Sequence, residues 1–264
     1  MADFTAKDVQ ALRRTTGAGM MDAKKALVDN EGDAEAAAQW LREKGIAKSA
    51  SRSDRDNSEG IVVARVEDGV AAIVELKCET DFVAKSDQFG QLAENLLTCV
   101  LVDGEEAVGQ ESSELESLKI TLKENIDLGK IDRYETAEGS VLDAYVHQQN
   151  GRGVNAVLVE IRNGSKEVAH DLALHIASNR PKYLTREDVP PEVIAAERET
   201  LANITRNEGK PDQAIDKIVD GRMAGFFRDA ALLEQKFVKD EKLGIVELLG
   251  EATISRFAQV EIGN

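Results

Sequence analysis

Apolar positions along the chain follow two periods, and the change between them divides it. In residues 1–48 they recur every three or four positions. Val9 and Leu12 fall on one helix with Thr5 as its N-cap, and "TTGAG" (15–19) ends it. A second helix starts near Met20 and carries Met21, Lys24, Lys25 and Leu27, before "DNEGD" (29–33) breaks it. Asp33 caps a third helix, "AEAAAQWLREK", with Gly45 as its expected stop. Three helices of this size form a compact unit that buries little surface alone. Residues 49–60, "SASRSDRDNSEG", hold almost no apolar side chains and read as a linker.

From residue 61 the period becomes two. "GIVVARVEDGVAAIVELK" is a pair of β-rich runs around a Glu-Asp-Gly turn. A helix follows from about Ser86, through Phe89, Leu92, Leu96, Leu97 and Val100. Residues 111–130 suggest another, through Leu115, Leu118, Leu122 and Ile126. The scheme then recurs. "EGSVLDAYVHQQNGRGVNAVLVEIRN" (138–163) again runs strand, glycine turn, strand, with "LVEI" where the first copy has "IVEL". Its hairpin loop is expected to be the longer of the two. "KEVAHDLALHIASNRP" supplies the next helix.

These periods give an α+β fold. A three-helix N-terminal unit (1–48) and a linker (49–60) precede a duplicated core of two antiparallel-sheet-plus-helix subdomains. The first spans 61–137, the second 138–188 and 229–264. Between the parts of the second, residues 189–228 form an inserted helical hairpin. Pro190 and Pro191 open its first helix and "NEGKP" (207–211) makes the bend. Ile194, Leu201 and Ile204 are placed to face Ile215, Ile218, Val219 and Met223.

Composition narrows the function. The chain has 264 residues and a formal net charge of −16. That balance argues against nucleic acid, which needs a basic face, and against anionic membrane surfaces. No apolar run is long enough to span a bilayer, and "MADFTAKD" has no signal pattern, so the chain reads as cytoplasmic. Cys78 and Cys99 sit in apolar surroundings and read as buried free thiols. No phosphate loop or nucleophile elbow occurs. His147, His170 and His175 lack ligand spacing. No catalytic residue, metal or cofactor is expected, and the chain is not read as an enzyme.

Interaction remains. In "AGMM" (18–21) two adjacent methionines cannot both face one small core. They are either partly buried or an adaptable partner surface. In "CETDFVAK" (78–85), Phe82 either staples onto the following helix at Phe89 or is held outward for a partner.

Those two spots also carry a resemblance. "LRRTTGAGMMDAKKAL" (12–27) and "CETDFVAK" are similar to the two signature segments of the elongation factor Ts family. The likeness extends through "GDAEAAAQWLREKG", the duplicated core, the helical hairpin and "LLEQKFVKD" (232–240). The family comprises guanine-nucleotide exchange factors for elongation factor Tu. The resemblance implies a UBA-like N-terminal domain and a coiled-coil-like arm. It also implies a wedge mechanism, in which an aromatic disturbs the Mg²⁺ and phosphate region of elongation factor Tu so that GDP leaves. Arg13, Met20, Met21 and Lys24 match the first contact segment, and Thr80, Asp81, Phe82 and Val83 match the wedge turn. Asp81 is expected to accept hydrogen bonds that fix that turn. His147 matches a contact histidine, and Phe237 and Val238 match the "FVKD" contact. The arm leaves a homodimer or a two-plus-two complex with elongation factor Tu open.

The sequence departs from the family pattern at Thr15, where arginine is common, and at Ala23, where cysteine is common. In "TLKENIDLGKID" (121–132) Lys123 stands on a usual glycine, which puts a family contact there in doubt. The alternative is a UBA-like adaptor, in the sense the resemblance implies, or a chaperone-type scaffold without exchange activity.

Overall fold

The computed structural model describes residues 4–108 and 113–263. It is an α+β fold with antiparallel sheets and a helical N-terminal region. There, α1 (Ala6–Thr16), α2 (Met20–Asp29) and α3 (Ala34–Ala50) surround Val9, Leu12, Ala23, Ala26, Leu27, Ala37 and Leu41. The alanines let the helices approach closely. Asp8 accepts from the Thr5 backbone N–H at 2.7 Å, and Asp33 accepts from Glu35 N and Ala36 N, so both helix starts are capped.

The first sheet contains β1 (Glu59–Glu67), β2 (Val70–Cys78) and, later, β3 (Asp127–Glu135), in the order β1-β2-β3. Between β2 and β3 lie α4 (Asp81–Ala84), α5 (Asp87–Asp103) and α6 (Ser113–Leu122). The second sheet repeats this order with β4 (Ser140–Gln149), β5 (Arg152–Arg162) and the final strand. After β5 come α7 (Lys166–Asn179) and an antiparallel helix pair, α8 (Pro191–Asn207) and α9 (Asp212–Ala230). A short ribbon, β6 (Lys236–Phe237) and β7 (Asp240–Gly244), and α10 (Ile245–Leu249) lead to β8 (Thr253–Glu261), which pairs with β5.

The two sheets pack face to face through Val62, Ala71 and Ile73 against Leu142, Ala156, Leu158 and Val260. Helix α5 covers the far side of the first sheet, with Phe89 wholly buried among Val74, Leu76 and Leu97. Helix α7 covers the second, with Leu172 and Ile176 against Val157, Val159 and Ile161. Core strands therefore bury both faces, which is why "VAAIVELK" and "AVLVEI" run apolar rather than alternating. Burying Phe89 alone contributes about 1.5–3 kcal/mol.

Several expectations need correction. Helix α3 does not stop at Gly45 but continues to Ala50. Glycine is there for space: a Cβ at position 45 would lie 2.8 Å from Ile120 Cγ2 on α6. A mid-helix glycine costs about 1 kcal/mol relative to alanine, which is here the cost of close helix packing. The helix expected over 111–130 ends at Leu122, and a strand begins at Asp127; positions 111 and 112 lie outside the described residues. Ile126 is buried, but from the connecting loop.

The second hairpin loop is not longer. Both turns have two residues, Asp68–Gly69 and Asn150–Gly151, all with positive φ (48° and 80°, 52° and 81°). The extra length is absorbed by a bulge opposite His147 and Gln148. In the helix pair, Ile204 is exposed. Thr205 occupies the seam instead, its hydroxyl donating to Leu201 O and accepting from Arg222. Cys78 is buried, but Cys99 is only half-buried.

Candidate functional site

The turn after β2 is a four-residue helix fixed from several directions. Thr80 is its N-cap, accepting from Val83 N at 3.4 Å. The Thr80 hydroxyl donates to Glu124 Oε1 at 2.6 Å, and Glu124 Oε2 accepts from the backbone N–H of Glu79 and Thr80, each at 3.1 Å. Underneath, Cys78 Sγ donates to Thr80 O at 3.2 Å, and burial, with the Glu124 charge, pushes the thiol up to about 12. Ala84 is buried and Val83 packs against the first-sheet core.

Phe82 is what this frame leaves outside. It is 83% exposed, while Phe89 is fully buried, so the staple between them does not form. In α4, residues 82 and 84 lie about 200° apart around the axis, so anchoring Ala84 inward points Phe82 outward. Asp81 accepts a hydrogen bond across the turn, as expected of it. Its carboxylate pairs with Lys85 Nζ at 2.5 Å, and that hydrogen bond holds it below the usual aspartate range. Further hydrogen bonds brace the turn through Thr80 and Glu124.

Glu124 and Asn125 had no assigned role in the sequence. Asn125 N donates to Glu79 Oε1 at 2.6 Å, and its side-chain amide donates to Ser53 O and Arg55 O at 3.2 and 2.8 Å. Arg55 returns to Glu79 Oε1 at 3.3 Å. The polar stretch after α3 is thus tied to the turn that carries Phe82. A polar pair just beyond a helix end was the available signal. Only its distant partners distinguish it from an ordinary loop. Preceding the pair, Lys123 adopts φ 61°, a left-handed backbone that favours glycine, with a lysine in it.

In the N-terminal region Arg13, Met20, Met21 and Lys24 are all exposed, Met20 by 42% and Met21 by 75%. Neither methionine belongs to the small core, which takes Ala23, Ala26 and Leu27 from the same helix.

The remaining candidates lie on the second sheet's side of the molecule. His147 is exposed near the end of β4, with Tyr145 OH 3.3 Å from its Nδ1. Phe237 is 5% exposed and packs in the α7 core beside His175, so it supports this surface from beneath. Its neighbour Val238 is 42% exposed. His175 holds the segment in place. Its Nε2 donates to Gln235 Oε1 at 2.8 Å and its Nδ1 accepts from Val238 N at 3.2 Å, which requires a neutral ring. Burial, opposed by the Gln235 hydrogen bond, keeps its pKa below the usual value. His170, on the same helix, instead bonds Asp143 at 2.9 Å. No helix of the described residues is long and apolar enough to cross a membrane.

A family model described as "Elongation factor TS" matches residues 79–264. Relatives named elongation factor Ts include those of Pseudarthrobacter chlorophenolicus (38% identical over 285 residues), Micrococcus luteus (41% over 278) and Clavibacter michiganensis subsp. michiganensis (41% over 277). Each alignment covers 100% of this chain and 100% of the relative. With the match running the full length, through both the exposed methionine segment and the Phe82 turn, the chain belongs to the elongation factor Ts family of translation elongation factors.

Proposed function

We propose that this chain binds elongation factor Tu–GDP and promotes release of the nucleotide, with Phe82 as the wedge that disturbs the Mg²⁺ and phosphate region. It acts as a non-catalytic exchange factor in the cytoplasm. The observation that carries this is the pairing of an exposed aromatic with a rigid mount. Phe82 stands in solvent while Thr80, Glu124 and the buried Ala84 fix its backbone. A mount ordered in advance loses little conformational freedom on binding, so most of the aromatic's burial is available to the complex.

The thermodynamics is linkage. A factor that binds the open partner more tightly than the GDP-bound one weakens GDP by the ratio at which GDP weakens the factor. GTP then refills the site and displaces the factor. In this scheme Arg13, Met20, Met21 and Lys24 meet the same partner domain as Phe82. His147 and Val238, with Phe237 behind them, hold a second partner domain.

The test is release of labelled GDP from elongation factor Tu with the parent chain and with Phe82→Ala. The parent is expected to speed release and the variant to lose most of that effect while still folding. Equal release by the two would remove Phe82 from the mechanism. Tight complex formation without faster release would favour an adaptor.

A further inference from the structure

Residues 121–124 hold both exposed segments. A Cβ built on Gly17 would stand 3.3 Å from Thr121 Oγ1, so the turn leading into Met20 lies against the end of α6. Three residues later Glu124 grips Glu79 and Thr80, just before Phe82. The Met20–Met21 surface and Phe82 are therefore mounted on either side of one short stretch of chain.

Such a mount works only if the N-terminal helices are seated firmly on α6. Leu115 and Leu118 turn one face of α6 into the first-sheet core. Ile120, about 200° round from Leu118, faces the other way. There it meets Gly45 of α3, where a Cβ would lie within 2.8–3.2 Å of three Ile120 side-chain atoms. Arg52 Nη1, just beyond α3, donates to Lys119 O at 3.2 Å, which secures the seat at its edge. Glycine at 45 is unfavourable for the helix itself, and its rationale is tertiary.

We propose, on the exchange-factor reading above, that Gly45 and Ile120 are positioning residues whose interlock makes the Met20–Met21 surface and Phe82 one preformed partner surface. Neither touches the partner. Both set the geometry in which the two segments arrive together. A loosened seat leaves each segment intact but requires it to be ordered at the moment of binding, which weakens association.

The test uses the full chain with Gly45→Leu and with the swap Gly45→Leu/Ile120→Ala, which conserves side-chain volume to about one methylene. GDP release from elongation factor Tu is measured against factor concentration. Gly45→Leu is expected to raise the half-saturating concentration at least tenfold and leave the maximal rate near the parent's. The swap is expected to restore it. Spin labels on Val28→Cys and Gln88→Cys, in a Cys99→Ser background, report the seat independently. Their distance distribution should broaden in Gly45→Leu and narrow again in the swap. An unchanged half-saturating concentration, or a lowered maximal rate that the swap does not rescue, overturns the proposal. Should Gly45→Leu not fold, Gly45→Ala with and without Ile120→Ala gives the same comparison at smaller amplitude. A parent chain that does not stimulate release refutes the exchange-factor reading, while the label distances still decide whether the interlock exists.

Discussion

The chain leaves β2 and β5 in different ways. After β5, Asn163 turns through a left-handed conformation (φ 55°) and Ser165 caps α7 directly. After β2, α4 is inserted first, and Ser86 then caps α5. Otherwise the two units correspond closely: a two-residue hairpin turn, a covering helix and a third strand added beside the second. Each has a glutamate in the middle strand, Glu75 or Glu160, buried where the third strand bulges. Lys130 N caps Glu75, whereas Arg256 and Ala137 N cap Glu160. The shared framework supports both units. The candidate wedge is confined to the inserted turn of one. Duplicated folds can separate roles in this way because a loop changes without disturbing the sheets.

The sharpest way to break that comparison is to remove what only the first unit has. Phe82→Ala is expected to weaken the exchange-active complex by about 2 kcal/mol, roughly 30-fold, with an unchanged melting temperature because the side chain is exposed. A matching loss of thermal stability would instead make Phe82 a core residue. Next in size is Glu124→Ala, which deprives Glu79 N, Thr80 N and the Thr80 hydroxyl of their acceptor. Urea unfolding should show a loss of about 1.5 kcal/mol, together with slower GDP release. Glu124→Gln, which keeps an acceptor oxygen, should lie between.

The second unit has its own signature in His175. Its folded pKa is lowered, so stability is fully present above about pH 6.5. It is lost as pH falls from there towards the folded value, by at most about 1.4 kcal/mol per pH unit. Subtracting the pH profile of His175→Gln from that of the parent isolates the slope. A difference that stays flat below pH 6.5 would mean the ring is not held neutral. The smallest effect is at Lys123, whose left-handed backbone favours glycine. Lys123→Gly should stabilise the chain by about 0.5 kcal/mol, after allowance for glycine's greater freedom when unfolded. A lower melting temperature would show that the lysine side chain contributes more than its backbone strain costs.

Much of the fold was legible because local chemistry and global packing agree. Thr5 and Asp33 cap where expected, the helix after β2 begins at Ser86 as its pattern indicated, and the runs buried on both faces are strands. Features that need a distant partner were not legible. Gly45 reads as a helix stop until Ile120 is placed against it. Strand β3, "DLGKIDRYE", lies at a sheet edge, where charged side chains hide the strand pattern. Ile204 follows the apolar spacing as well as Leu201 does, yet the seam takes Thr205, whose hydroxyl Arg222 can reach. At the candidate site, the sequence placed Phe82 in a turn but left its direction open. That direction depends on Glu124, more than forty residues away, and on the burial of Ala84.

The strand order also has a consequence for synthesis. The first sheet is complete once residue 135 has been made, but the second waits for 253–261. For some ninety residues of elongation β5 carries a free hydrogen-bonding edge, and the apolar residues that β8 will cover stay open to solvent. A chain stopped at 252 would hold one finished sheet beside a ready template for pairing with other chains. Vectorial growth thus leaves the interval between β5 and β8, in which the long helix pair is made, as the period when this protein is most open to misassembly.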